Sequence, residues 1–171
     1  MLFKTSFKWG VFLGLALVIG TQILTWLGLG VTNWFAVLTF LLVIVFVALG
    51  LGNIKRANEG KLTFVNAALA VLMIVLISRY VFQLYMFVYI NFIDPNWVNQ
   101  VAETWTDSMK AGNVPVERID RTIAAFRRAW EPVPMFTVQI FVMAIPQLIL
   151  GLITSLFFVL RPRRAKELAN R

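Results

Sequence analysis

Residues 62–93 read LTFVNAALAVLMIVLISRYVFQLYMFVYINFI, a run in which Arg79 is the single charge. A helix crosses the ~30 Å hydrocarbon core of a bilayer in about 20 apolar residues, and only an internally hydrogen-bonded helix strands no backbone group there. The run exceeds that length. Residues 9–29, 34–52 and 135–160 have the same character and carry no charge at all. The sequence therefore predicts an all-α integral membrane protein: one membrane domain over residues 1–171 with four transmembrane helices. Only Gly30, Val31, Thr32 and Asn33 separate the first two spans, which predicts a tight helical hairpin.

Composition agrees. The chain is 60% apolar and 14% charged, against 45–50% and about a quarter in soluble proteins. Histidine and cysteine are absent. Disulfides, the usual zinc ligands, thiol and imidazole nucleophiles and Ser-His-Asp triads are thereby excluded, and no catalytic, metal or cofactor site is expected. Lys4 and Lys8 precede the first apolar run as in a secretory signal. That run is about 20 residues rather than 7–15 and no small-x-small site follows, so an uncleaved first span is expected.

The net charge of +8 resolves into a topology signal rather than a nucleic-acid signal. With both termini on one side of four spans, that side holds Lys4, Lys8, Lys55, Arg56, Lys61, Arg161, Arg163, Arg164, Lys166 and Arg171. The other side holds Lys110, Arg118, Arg121, Arg127 and Arg128, together with six acids. The positive-inside rule predicts a multi-pass membrane protein with both termini cytoplasmic and residues 94–134 outside. The basic tail from Arg161 reads as a stop-transfer anchor with some attraction for anionic lipid. Tyr80, Tyr85 and Tyr89 and every tryptophan except Trp9 fall toward the outer side, as in an aromatic interfacial belt.

The outer segment predicts an amphipathic helical hairpin over about 95–131. Asp94-Pro95-Asn96 offers an N-cap followed by proline at the first helical position. Trp97, Val98, Val101, Trp105 and Met109 then form one apolar stripe. Gly112 suggests a C-cap and Pro115 a second start; Val116, Ile119, Ile123, Phe126 and Trp130 form a second stripe before Pro132 and Pro134 stop it. Two such helices cannot bury both stripes alone. They are expected to pack on the outward projection of span three or to lie in the headgroup layer.

Arg79 is the residue to which chemistry attaches most readily, since an unpaired intramembrane cation costs a few kcal/mol. Near the outer boundary it either snorkels to phosphates or recognises an anionic lipid, a polyprenyl phosphate or a partner's carboxylate. Tyr80, Tyr85, Trp97, Trp105 and Trp130 join it as candidate lipid or partner contacts. Glu103 and Asp107, four apart, have the spacing of a carboxylate pair, but no third ligand is placed near them and they read as a solvated face. Gly10 and Gly14, Ala48 and Gly52, and Gly151 and Ser155 have the small-xxx-small spacing of close helix packing. Pro146 should kink span four, and Gln139, Gln147, Thr21, Gln22 and Thr25 supply polar groups to satisfy freed carbonyls or line a cavity.

The order of these features resembles a bacterial family of small four-span membrane proteins catalogued as domain of unknown function 4199. The carriers are Gly10 and Gly14, the loop Gly52-Asn53-Ile54-Lys55-Arg56 followed by Glu59-Gly60-Lys61-Leu62-Thr63-Phe64, the exit Phe92-Ile93-Asp94-Pro95, and the run from Gly151 to Leu160 ending in Arg161. The resemblance implies the architecture and supplies no activity. The leading functional expectation is a noncatalytic integral protein of the bacterial inner (cytoplasmic) membrane that serves as an assembly, docking or accessory subunit of the cell envelope. It would act through the outer hairpin and span three, in the phospholipid membrane, with a membrane-protein partner or a second copy of itself. The alternative is a lipid-handling or small-solute carrier built on Arg79 and a polar intramembrane cavity. A lateral groove reaching Arg79 favours the carrier and a dry bundle favours the docking protein.

Overall fold

A computed structural model describes residues 2–28 and 34–160. Four helices are long and apolar enough to cross a membrane: Leu2–Trp26, Trp34–Ala57, Phe64–Ile93 and Pro132–Leu160. The shortest has 24 residues and so measures about 36 Å at 1.5 Å per residue, more than the hydrocarbon core. The chain is a multi-pass membrane protein, with helices and turns but no strand among the described residues. The expected hairpin turn at Gly30 to Asn33 and the basic tail from Arg161 lie outside the described residues.

The spans begin and end differently from a reading based on charge alone. Helix α1 (Leu2–Trp26) takes Lys4 and Lys8 into its first turns, and α2 (Trp34–Ala57) continues past Gly52 through Lys55 and Arg56. Long cationic side chains reach water from a helix end, so a lysine does not terminate the helix that carries it. The Lys55 ammonium instead donates to the carbonyl of Phe158 at 2.7 Å, tying α2 to the last turn of the fourth span. Helix α3 (Phe64–Val88) starts behind Thr63, whose hydroxyl accepts from the Asn66 N–H at 3.3 Å as an N-cap. It ends in a π-helical turn, Tyr89–Ile93, closed by the Asp94 N–H on the Tyr89 carbonyl at 2.8 Å.

Helix α4 (Trp97–Ala111) begins later than the Asp94-Pro95 signal suggests. The Asp94 carboxylate accepts from the Asn96 N–H at 3.1 Å and shapes the turn, while Asn96 holds the cap position without a side-chain bond to a backbone N–H, its Oδ1 accepting instead from the Asn99 Nδ2 at 3.2 Å. Gly112 does end α4 but at φ −81°; the left-handed residue is Asn113, φ 54°. Asparagine tolerates that region because its short amide can bond locally. Helix α5 (Val116–Ala129) follows Pro115. Pro132, expected to stop a helix, opens a short one, α6 (Pro132–Phe136), where its missing N–H costs nothing. The axis breaks at Thr137 and continues as α7 (Val138–Leu160), so the fourth span starts three residues earlier than its composition suggests.

The bundle is packed with its small residues inward. Helix α1 buries Ser6, Gly10, Leu13, Gly14 and Leu17 and exposes Phe3, Phe7, Phe12, Leu15, Ile19 and Ile23. Lipid tails are as apolar as leucine, so large apolar side chains gain little by turning inward, whereas small ones let backbones approach. Gly10 lies against Ile77 and Gly14 against Val81, the same spacing on both helices, which sets α1 parallel to α3. Gly151 of α7 faces Val71 and Val47 and joins α2, α3 and α7 at one level.

Candidate functional site

Arginine at position 79 and glutamine at 83 are one turn apart and share the face of α3 that meets α7. Arg79 is turned inward and is 6% exposed. Its Nε–H donates to the Gln147 Oε1 at 2.9 Å. One turn along, the Gln83 Nε2 donates to the Gln139 Oε1, also at 2.9 Å. The two bonds form a short polar ladder between α3 and α7 inside an otherwise apolar bundle, where each unmet polar group would cost about 1–3 kcal/mol. That cost sets a prediction. Gln83→Leu alone should destabilise the protein by about 1–2 kcal/mol by orphaning Gln139, and adding Gln139→Leu should recover most of the loss. A double-mutant cycle on thermal unfolding in detergent measures it; a double variant no better than Gln83→Leu would rule the pairing out.

The ladder forms one wall of a cavity of about 840 Å³, within the range of small-molecule sites. Thr39 of α2 lines it together with Arg79 and Gln147, and Trp97, Trp105 and Phe126 of α4 and α5, with Trp130, line the end away from Lys55. Trp97 and Trp130 meet edge to face at 5.0 Å, and Trp105 packs on Phe126 at 4.8 Å. Ala36 and Phe40 of α2 and Val142 and Met143 of α7 line the cavity and are exposed. The opening is therefore sideways, between the first halves of α2 and α7. Their second halves are held together by Val47 beside Gly151 and by Lys55 on Phe158. Pro146, at the level of the gap, lacks the N–H that would bind the Val142 carbonyl, which loosens α7 there.

The electrostatics of this wall are one-sided. Arg79 and Arg128 line the cavity, and no carboxylate does among the described residues. Three polar atoms of lining residues, the Thr39 Oγ1, the Trp130 Nε1 and the Gln147 Nε2, are buried without a partner from the described chain. Gln147 is 0% exposed. Such groups are rare in native structures and call for an explanation.

Of the residues singled out in the sequence as contacts, Arg79, Trp97, Trp105 and Trp130 line this one cavity. Tyr80 does not: it is exposed on the outside of α3. Tyr85 packs on Tyr89, with its hydroxyl buried and unpartnered, away from the lining. Among the residues expected to pack helices, Gly10, Gly14 and Gly151 sit at tight contacts, Gly52 has only ordinary contact with Phe158, and Pro146 lines the cavity instead. Gln139, Gln147 and Thr21 line it too, whereas Gln22 and Thr25 do not. Glu103 and Asp107 are exposed on α4. Sequence reasoning passed over Gln83, Thr39 and Arg128. For Gln83 the signal was its i,i+4 relation to Arg79, and for Arg128 its place beside the Phe126 and Trp130 stripe.

No curated protein and no solved structure matches the chain. Residues 8–159, nearly the whole of it, match the family described as Protein of unknown function (DUF4199); the match takes in the second and third spans, the intervening helices, and the first and fourth spans except for the start of the one and the last residue of the other. The chain therefore belongs to the DUF4199 family.

Proposed function

We propose that this protein is a noncatalytic, lipid-handling protein of the cytoplasmic membrane that binds an anionic amphiphile, with its termini inside and residues 94–134 outside. The observation that carries the reading is Arg79, buried without a counter-charge among the described residues in the wall of a sideways-open apolar cavity. A cation at span depth costs about 2.5–3.5 kcal/mol on insertion scales, and among the described residues this one has a single neutral side-chain partner. An acidic headgroup supplies the missing charge, in surroundings where low dielectric strengthens the pair. The gap between α2 and α7 admits a molecule already in the bilayer, tail outward. Counted along the helices, Arg79 lies about 22 Å from Phe64 and Gln147 about 20 Å from Leu160, so both point to one depth in the outer half of the core.

A docking subunit working through the outer helices and span three would need an apolar face free on α4 and α5. Trp97, Val101, Phe126 and Trp130 turn most of that face to the cavity and Ile119 is buried, while Trp105, which also lines the cavity, and Val116 are exposed. The carrier reading accounts for these residues and for Arg79 together.

The test is thermal unfolding in nanodiscs of neutral phosphatidylcholine with and without added anionic lipid. A ligand at 100 times its Kd adds about 2.7 kcal/mol, a rise of roughly 5–10 °C for a domain of this size. Wild type should show the rise and Arg79→Gln should not. A wild type indifferent to anionic lipid, or an Arg79→Gln variant that responds in full, rejects the reading.

A further inference from the structure

We infer that the headgroup this cavity selects is a phosphate monoester, in preference to a phosphate diester or a zwitterion; the inference rests on the anionic-amphiphile reading and sharpens it. Arginine has five N–H donors and no acceptor. Gln147 must therefore present its Oε1 to the Arg79 Nε, which turns the Nε2 the other way, buried and without an acceptor from the described chain. The Gln139 Oε1 is likewise occupied, by Gln83. With two of the three amide oxygens engaged and the Gln83 Oε1 as the one left over, the ladder's spare capacity is mainly N–H: four donors on the Arg79 Nη atoms and those of the glutamine amides. The Trp130 Nε1–H, also buried and unpartnered, can only donate.

A wall made of donors seeks a ligand made of acceptors. A monoester offers three free oxygens and a charge of about −1.5 to −2 at pH 7. A diester offers two free oxygens and one charge. The two cations of the lining, Arg79 and Arg128, with no carboxylate among the described lining residues, match the higher charge. The ammonium of a zwitterionic headgroup would meet two arginines and find no carboxylate. Bidentate guanidinium contacts to phosphate oxygens add geometric selectivity to the charge match.

The experiment uses the full chain in phosphatidylcholine nanodiscs and reads binding of phosphatidic acid, a monoester, against phosphatidylglycerol, a diester, by native mass spectrometry and by thermal shift. Wild type should prefer the monoester by about tenfold, the value of one to two charge-assisted hydrogen bonds. Trp130→Phe with Arg128→Gln keeps the aromatic wall and removes one donor and one charge. Its preference should shrink to about twofold or less, while both anionic lipids still bind better than phosphatidylcholine. Equal binding of the two lipids by wild type overturns the monoester assignment and leaves the anionic-amphiphile reading intact. No advantage of either over phosphatidylcholine overturns both. Inorganic phosphate should not compete with phosphatidic acid; full competition would overturn the lipid source and leave the headgroup chemistry standing.

Discussion

Arg79→Met should raise the unfolding temperature of the protein in a neutral phosphatidylcholine bilayer and at the same time abolish its response to anionic lipid. Arg79, a buried cation with no counter-ion among the described residues, stays in the bundle at a cost of about 2.5–3.5 kcal/mol. Methionine fills a similar volume with a flexible apolar chain and removes that cost. What is lost is the bond to Gln147, whose Oε1 is left unpaired at about 1–2 kcal/mol. The net is a gain of about 1 kcal/mol, or roughly 2–4 °C for a chain of this size. Residues kept for function at the expense of stability behave this way. The opposite sign is equally informative. A loss of about 3–5 kcal/mol is what breaking a compensated buried ion pair produces, and it would mean that Arg79 has a carboxylate partner within the protein and that the cavity needs no anion. Thermal scans of wild type and variant in the same neutral nanodiscs, before and after anionic lipid is added, give both readouts from one preparation.

The spans were legible because the bilayer imposes one coarse condition, about 20 residues without charge, and residues 62–93 meet it on sight. Their ends were not, because Lys4, Lys8, Lys55 and Arg56 belong to helices whose cationic side chains simply reach past the hydrocarbon. Arg79 could be singled out as the lone charge of a span, but its direction could not. That direction is fixed by Gln147, sixty-eight residues away, and no local pattern pairs an arginine with a distant amide. Trp97, Trp105 and Trp130 were visible as an interfacial stripe, and the surface they cover was not, since it is assembled from α2, α3 and α7. Arg128 was counted only as one of the outer-side charges. Only the fold shows that it stands on the cavity side of α5. The small-residue motifs looked alike for a related reason: spacing says that two residues share a face, and the neighbouring helix decides whether that face is crowded.

Gly14→Ile should prevent the bundle from assembling, whereas Gly52→Ala should be neutral or slightly stabilising. A Cβ at Gly14 would lie 2.6 Å from the Val81 Cβ and 3.0 Å from the Ser78 carbonyl oxygen. Neither neighbour can yield. Valine is stiff at χ1, and the carbonyl belongs to the backbone of α3. Relief requires α1 to move off α3, and the neighbouring contact of Gly10 with Ile77 would go with it. Overpacking a core typically costs 1–3 kcal/mol; here, with a branched residue against backbone and loss of an adjoining close contact, we expect at least about 3 kcal/mol. At Gly52 the nearest neighbour of an added Cβ is the Phe158 ring at 3.8 Å, an ordinary contact. Alanine fits there and lowers the conformational freedom of the unfolded helix, which favours folding by about 0.5–1 kcal/mol. The measurement is the fraction of monodisperse protein recovered in mild detergent, with its unfolding temperature. Recovery of Gly14→Ile at wild-type level would mean that α1 does not lie against α3 at this register, and the cavity wall that α3 presents to α7 would then lack its support from behind.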